Sequence, residues 1–246
     1  MKNSELEEKL KKIWNDFSSD GVNGIDNLEL KLVLKRGFCY ADPEQTGKTM
    51  VIGFNPSFKE GNEGIIHYNL FVADHPYFSI IRNTLNGNTM NQKVDDAVYL
   101  DLFYFRYTIQ AEIQKMLDNA GEKAIAFMIE QLKLTQEIIE DIKPKIMIVF
   151  NKGAWAYLGF SEKFVWMGYT YEEVKDIELK RLKIKEGKLM RITGLKDPSL
   201  RINPSIQSTN LVGTLVYFSR HLSRVPMPKR MSIHNEIKDI KTTFSI

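Results

Sequence analysis

The stretch KTMVIGFNPSF, residues 48–58, sets the fold class. Residues 48–54 form a short, nearly continuous apolar run, the pattern of a strand buried on both faces. Gly53, Asn55 and Pro56 then end it. Such residues serve either a plain turn or a loop that holds a ligand. Three more apolar runs follow: DDAVYLDLFYF (95–105), KIMIVF (145–150) and GTLVYF (213–218). Helical patterns separate them. HPYFSIIRNTL (75–85) carries Pro76 in its first turn. Residues 109–142 read as two helical segments around DNAGEK, KGAWAYLGF (152–160) as a short helix, and SIHNEIKDIKTTF (232–244) as the last helix. Buried strands alternating with helices predict an α/β fold. Its expected form is three layers, with helices on both sides of a central, mainly parallel four-stranded sheet.

Two segments lie outside that alternation. Residues 4–18 read as an amphipathic helix, with Leu6, Leu10, Ile13, Trp14 and Phe17 at helical spacing. LELKLVLKRGFCY (28–40) alternates and reads as a strand, so residues 1–47 form a helix and strand extension. DIELKRLKIKEGKLMRITGL (176–195) reads as a β-hairpin turning at KEGK, inside an insertion at 161–212. The whole of 1–246 is expected to be one domain with these additions.

Composition bounds the chemistry. The chain is 43% hydrophobic and 26% charged, as expected of a soluble globular protein. No apolar run approaches the roughly 20 residues that span a membrane. The charged start MKNSELEEKLKKIW lacks the apolar centre of a signal peptide, so a cytoplasmic setting is expected. Cys39 is the only cysteine, which excludes a disulfide framework, a four-cysteine zinc site and an iron–sulfur cluster. His67, His75, His221 and His234 form no HxxxH or HxH pair, so neither a metal nor another cofactor is expected. A net charge of +3 permits a nucleic-acid partner without demanding one. QTGKT (45–49) looks like the end of a phosphate-binding loop, but Asp42 stands where that motif needs glycine, and a strand follows where it needs a helix.

In such sheets ligands bind beyond the carboxyl ends of the strands. The segments there are GFNPSF, DLFYFR, NKGAW and SRHLSR. Taken in order, these segments resemble the uracil-DNA glycosylase superfamily, most closely its mismatch-specific branch. That branch carries a G-I-N-P-G loop after its first sheet strand; Gly53-Phe54-Asn55-Pro56-Ser57 is similar to it. Ala73-Asp74-His75-Pro76-Tyr77-Phe78 looks like the branch's A-H-P-x-x-x-F segment with one residue inserted. The run from Pro144 to Tyr157 looks like its third strand followed by G-K-x-A-Y. The resemblance covers residues 48–160 well and the C-terminal third loosely. The superfamily's second signature, H-P-S or N-P-S, has two candidates: Asn203-Pro204-Ser205 by letters, and His221-Leu222-Ser223 by its place directly after a strand. Placement favours the second.

The resemblance implies hydrolysis of the N-glycosidic bond of a damaged or mismatched DNA base that has been turned out of the duplex. Asn55 would position the attacking water, in a loop shaped by Gly53, Pro56 and Ser57. His221 would donate to the base oxygen, and Ser223 would contact a phosphate or orient the loop. An amide orients water but takes no proton at neutral pH. Phe54, Tyr68 and Phe71 are the candidate stacking rings. Asp101 stands where several branches use an asparagine to read uracil; an ionised carboxylate only accepts, so it disfavours uracil. Arg220, Arg224, Lys229 and Arg230 would approach DNA phosphates. Plainer readings stand beside each role. Asn55 and Pro56 are common turn residues, and His221 reads equally as a surface histidine. His75 reads as a helix cap, and Asp101 as a partner of Arg106 or Arg82. At the level of function, the alternative is a non-catalytic nucleobase, nucleotide or nucleic-acid binding protein that keeps the glycosylase fold.

Overall fold

The computed structural model describes residues 1–19, 28–69, 75–87, 96–160, 165–175 and 182–246. They form two compact units, each assembled from separated stretches of chain. The first comprises 1–44, 54–68 and 100–141; the second comprises 45–53, 69–99 and 142–246. The chain passes between them at Glu44/Gln45, Gly53/Phe54, Tyr68/Asn69, Tyr99/Leu100 and Asp141/Ile142.

In the first unit, α1 (Asn3–Ser18) buries Leu6, Leu10 and Trp14, one side chain per turn. The Trp14 ring packs on Phe38 and edge-on against Phe127, each with centroids 4.9 Å apart. Residues 28–36 are a helix, α2 (Leu28–Arg36), where a strand was expected. The reason lies in which leucines are buried. Leu30, Val33 and Leu34 share a helical face, while Leu28 and Leu32 are 63% and 37% exposed. A strand would have put all four leucines on one side. Then β1 (Cys39–Ala41) pairs in parallel with β3 (Ile66–Tyr68). Helix α4 (Gln110–Ile142) is interrupted at Gly121, whose φ of 53° and ψ of −144° are not helical, matching the expected break in DNAGEK. Two α4 side chains anchor the segment that leads toward the candidate site. Gln131 Oε1 accepts the N–H groups of Tyr104 and Phe105 at 2.9 and 3.1 Å, and the Thr135 hydroxyl donates to the Leu102 carbonyl at 2.9 Å.

The second unit carries the sheet, which has six strands rather than four, in the order β4-β2-β5-β8-β7-β6. The fold is therefore α/β with a mostly parallel central sheet. Its centre is β2 (Thr49–Gly53), β5 (Ile146–Val149) and β8 (Leu215–Phe218), paired in parallel with Val51 beside Ile148 and Ile148 beside Tyr217. Strand β4 (Ala97–Asp101) flanks β2. All four are buried along their length, as their unbroken apolar runs require. The other two strands, β6 (Tyr169–Glu173) and β7 (Lys188–Leu195), are antiparallel. They replace the hairpin expected at 176–195. Its second arm is β7, but the partner of β7 lies earlier in the chain; of the expected first arm, 176–184, residues 176–181 lie outside the described residues and 182–184 are not strand.

Helix α3 (Pro76–Leu85) is capped by His75, whose Nδ1 accepts the Tyr77 N–H at 3.3 Å. The plain reading of His75 thus holds. Helix α5 (Lys152–Trp155) is capped by Asn151. The last helix, α6 (Met227–Phe244), begins five residues before the expected 232, with Pro226 at its N-cap and Pro228 in its first turn. Among the described residues no helix is long and apolar enough to cross a membrane.

Candidate functional site

The loop after β2 is shaped by one side chain. Asn55 Nδ2 donates to the carbonyls of Pro56 at 2.9 Å and Tyr107 at 2.8 Å, with that of Phe105 at 3.5 Å. Pro56 O also accepts the Tyr107 N–H at 3.0 Å. Three carbonyls face this end of the amide, so it must be the NH₂ end. Oδ1 therefore points away as an acceptor, on a half-buried residue clamped by the 105–107 segment. Gly53 is the buried last residue of β2, Pro56 is half-buried and Ser57 is exposed. Phe54 does not sit as a stacking platform. It is buried against Phe103, edge to face at 5.3 Å, and its carbonyl accepts the Phe103 N–H. Phe71 lies outside the described residues.

Asp101, 4% exposed at the end of β4, accepts a hydrogen bond of 2.5 Å from the Tyr68 hydroxyl. Tyr68 is half-buried, so its phenol is a carboxylate partner as much as a candidate ring for a base. Arg106 does not pair with Asp101. Its Nη1 donates to the carbonyls of Asn62 and Arg36, and its guanidinium lies 5.2 Å from the Phe58 ring centre. Burial lowers the pKa of Arg106, and its Nε is buried without a partner. Arg36 lies over Phe58 and Tyr107 at 4.4 and 4.6 Å. Burial, reinforced by the Asp101 charge, pushes the Cys39 thiol up to about 12, so it is no nucleophile at neutral pH.

In the second unit, His221 caps the 3₁₀ turn Leu222–Arg224, directly after the strand that ends at Phe218. Its Nδ1 lies 2.7 Å from Ser223 Oγ and accepts the Ser223 N–H at 3.4 Å. A backbone N–H can only donate, so the neutral ring carries its proton on Nε2. The ring stacks on Tyr77 with centroids 4.5 Å apart and planes 5° apart. Leu222 is fully buried and anchors this turn. Tyr77 was missed as a site residue. Its only sequence signal is its place after Pro76 in the first turn of a helix.

The other second-signature candidate is differently placed. Asn203-Pro204-Ser205 follows a 3₁₀ turn (Pro198–Leu200) rather than a strand. Buried Asn203 accepts the Ser205 hydroxyl at 2.5 Å, and Arg201 Nη1 donates to the Ile206 carbonyl at 2.8 Å. The turn is thus closed largely on itself. Among the basic candidates, Arg220 is exposed and lies 3.9 Å from Glu186. Lys229 is exposed in the first turn of α6, and Arg230 is half-buried with an unpartnered Nε. The side chain of Arg224 lies outside the described residues. Asn55, Tyr68, Asp101 and Arg106 belong to the first unit; His221, Ser223, Asn203 and the basic candidates belong to the second. Among the described residues no cluster of three or more His, Cys, Asp or Glu side chains could hold a metal ion.

Compared with known proteins, the sequence matches no family model and no curated protein.

Proposed function

We propose that the protein is a DNA glycosylase-like hydrolase that cleaves the N-glycosidic bond of a damaged or mismatched base. One observation carries the reading. The Asn55 amide is locked with its donors on backbone carbonyls, which leaves its oxygen on the opposite side as an acceptor. A fixed acceptor of this kind can hold a water by one proton, leaving a lone pair of that water for attack on the sugar. Asp101 as an acceptor-only group favours a base that presents an exocyclic amine over uracil. The three-layer arrangement, the reading of 1–47 and 161–212 as additions to one glycosylase-like domain, the DNA partner and a cytoplasmic setting belong to the same proposal.

The test is base release from duplexes carrying uracil, hypoxanthine, xanthine or ethenocytosine, followed as abasic-site cleavage. The expected result is release from at least one of them, with Asn55→Ala slowed by about 10²-fold or more, the effect of losing a positioned reactant. No release from any duplex sinks the reading. A second reading has its own observation: the clamp on Pro56 and Tyr107 explains Asn55 by loop structure alone. A protein of this second kind binds a nucleobase, nucleotide or nucleic acid without cleaving it. Salt-dependent DNA binding with no abasic product would favour it.

A further inference from the structure

A pocket of about 170 Å³ lies in the second unit, beyond the carboxyl ends of β5 and β8. Four cationic side chains line it: Lys152 from the start of α5, Lys185 and Lys188 from the approach to β7, and Arg220 after β8. Glu186 is the one carboxylate in its wall and lies 3.9 Å from Arg220, a distance that neutralises little. Four positive groups against one negative leave a surplus of three. Such a surplus is unfavourable without a counter-ion.

The wall is built rather than incidental. Glu236 of α6, 5% exposed, accepts the backbone N–H groups of Lys185 and Glu186 at 2.9 and 3.0 Å, and its other oxygen accepts the Tyr217 hydroxyl at 2.8 Å. The Ser219 hydroxyl donates to the Glu186 carbonyl at 3.1 Å. Gly187 packs so closely that an added Cβ would lie 2.6 Å from the Tyr217 ring. The segment bearing Lys185 and Lys188 is thus fixed on β8 and α6. Trp155 also lines the pocket. The Lys152 ammonium lies 5.9 Å from the Trp155 ring centre.

We propose that this pocket binds a phosphate group. Ammonium groups are point-charge donors suited to phosphate oxygens. The volume is below the roughly 300–1,000 Å³ of pockets that engulf a drug-sized molecule, so the pocket takes a group rather than a whole ligand. The phosphate comes either from a nucleic-acid backbone or from a free nucleotide. The first source rests on the DNA reading above; the anion chemistry does not.

The experiment uses the full chain and measures equilibrium binding. One arm titrates a fluorescein-labelled DNA duplex over several salt concentrations, and the other titrates inorganic phosphate and a mononucleotide by calorimetry. For Lys152→Ala and Lys188→Ala, each exposed and with melting temperatures checked against wild type, affinity should fall about three- to tenfold. In the duplex arm the salt slope should also fall by about one per lost contact. Lys188→Arg should restore binding. Loss confined to the mononucleotide arm assigns a free nucleotide; loss in the duplex arm assigns the nucleic-acid strand. Wild-type affinity in both variants, or no binding of any probe by the native chain, overturns the site. Base release is scored separately, so phosphate binding without base release refutes the glycosylase reading and leaves the pocket standing.

Discussion

At the residue scale, the geometry of Asn55 separates it from its near-isostere. An aspartate there would turn a carboxylate oxygen toward the carbonyls of Pro56 and Tyr107, replacing two hydrogen bonds of 2.9 and 2.8 Å with repulsion. Asn55→Asp should therefore cost about 2–4 kcal/mol of stability at neutral pH, and recover part of it in acid as the carboxyl gains a proton. Asn55→Ala should cost less, about 1–3 kcal/mol, since it removes donors without adding a charge. Denaturant melts of the three proteins at pH 5 and pH 8 check both. An aspartate variant as stable as the native chain at pH 8 would mean that the amide does not clamp this loop. Asn55 was legible as a strand-end asparagine, but its clamp was not, because Phe105 and Tyr107 lie about fifty residues along the chain. Phe54 shows the opposite failure. Its position beside Asn55 suggested a stacking ring, yet its ring is buried edge to face against Phe103.

At the element scale, the strongly patterned segments were legible and the weakly patterned ones were not. The four apolar runs became the buried strands because an unbroken run has only one comfortable environment. The 28–36 segment was misread because LELKLVLK satisfies a period of two in letters, while burial follows the three- and four-residue spacing of Leu30, Val33 and Leu34. This difference is measurable. Leu30→Ala should cost about 2–5 kcal/mol, whereas Leu28→Ala should stay within about 0.5 kcal/mol. Equal costs would restore the strand. The hairpin was misplaced for another reason: KEGK marked a turn well enough, but the partner of β7 is chosen by long-range register, with Tyr171 opposite Ile192. The approach to β7 is held instead by Glu236. Glu236→Ala leaves two backbone N–H groups and the Tyr217 hydroxyl without their acceptor and should cost about 2–4 kcal/mol; Glu236→Gln, which keeps one oxygen, should cost about half of that. Urea unfolding reads both.

At the scale of the whole molecule, a net charge of +3 is too small to draw a polyanion by its overall field. Any anion binding must come from local concentrations of charge, which is why sequence composition said little about partners. The pH response follows the same logic, since it arises from a few buried groups. Burial and the Asp101 charge raise the Cys39 thiol from an ordinary 9.0 to about 12, against the opposing charge of Arg106. Burial and the Glu7 carboxylate raise the Tyr40 phenol from 10.0 to about 12. In both, the folded chain holds a proton that the unfolded chain has released. Their stabilisation is therefore complete below about pH 9 and is lost as pH rises toward 12. Unfolding free energy should fall across that window, and Cys39→Ala should fall less steeply than the native chain, because the thiol contributes a slope of at most about 1.4 kcal/mol per pH unit. Parallel curves for the two proteins between pH 9 and 11 would mean that the thiol is not held protonated by the fold. The same burial sets the reactivity of Cys39. A thiol reagent at pH 8 should label the native chain only as fast as it opens, and should count one thiol per chain at once in denaturant.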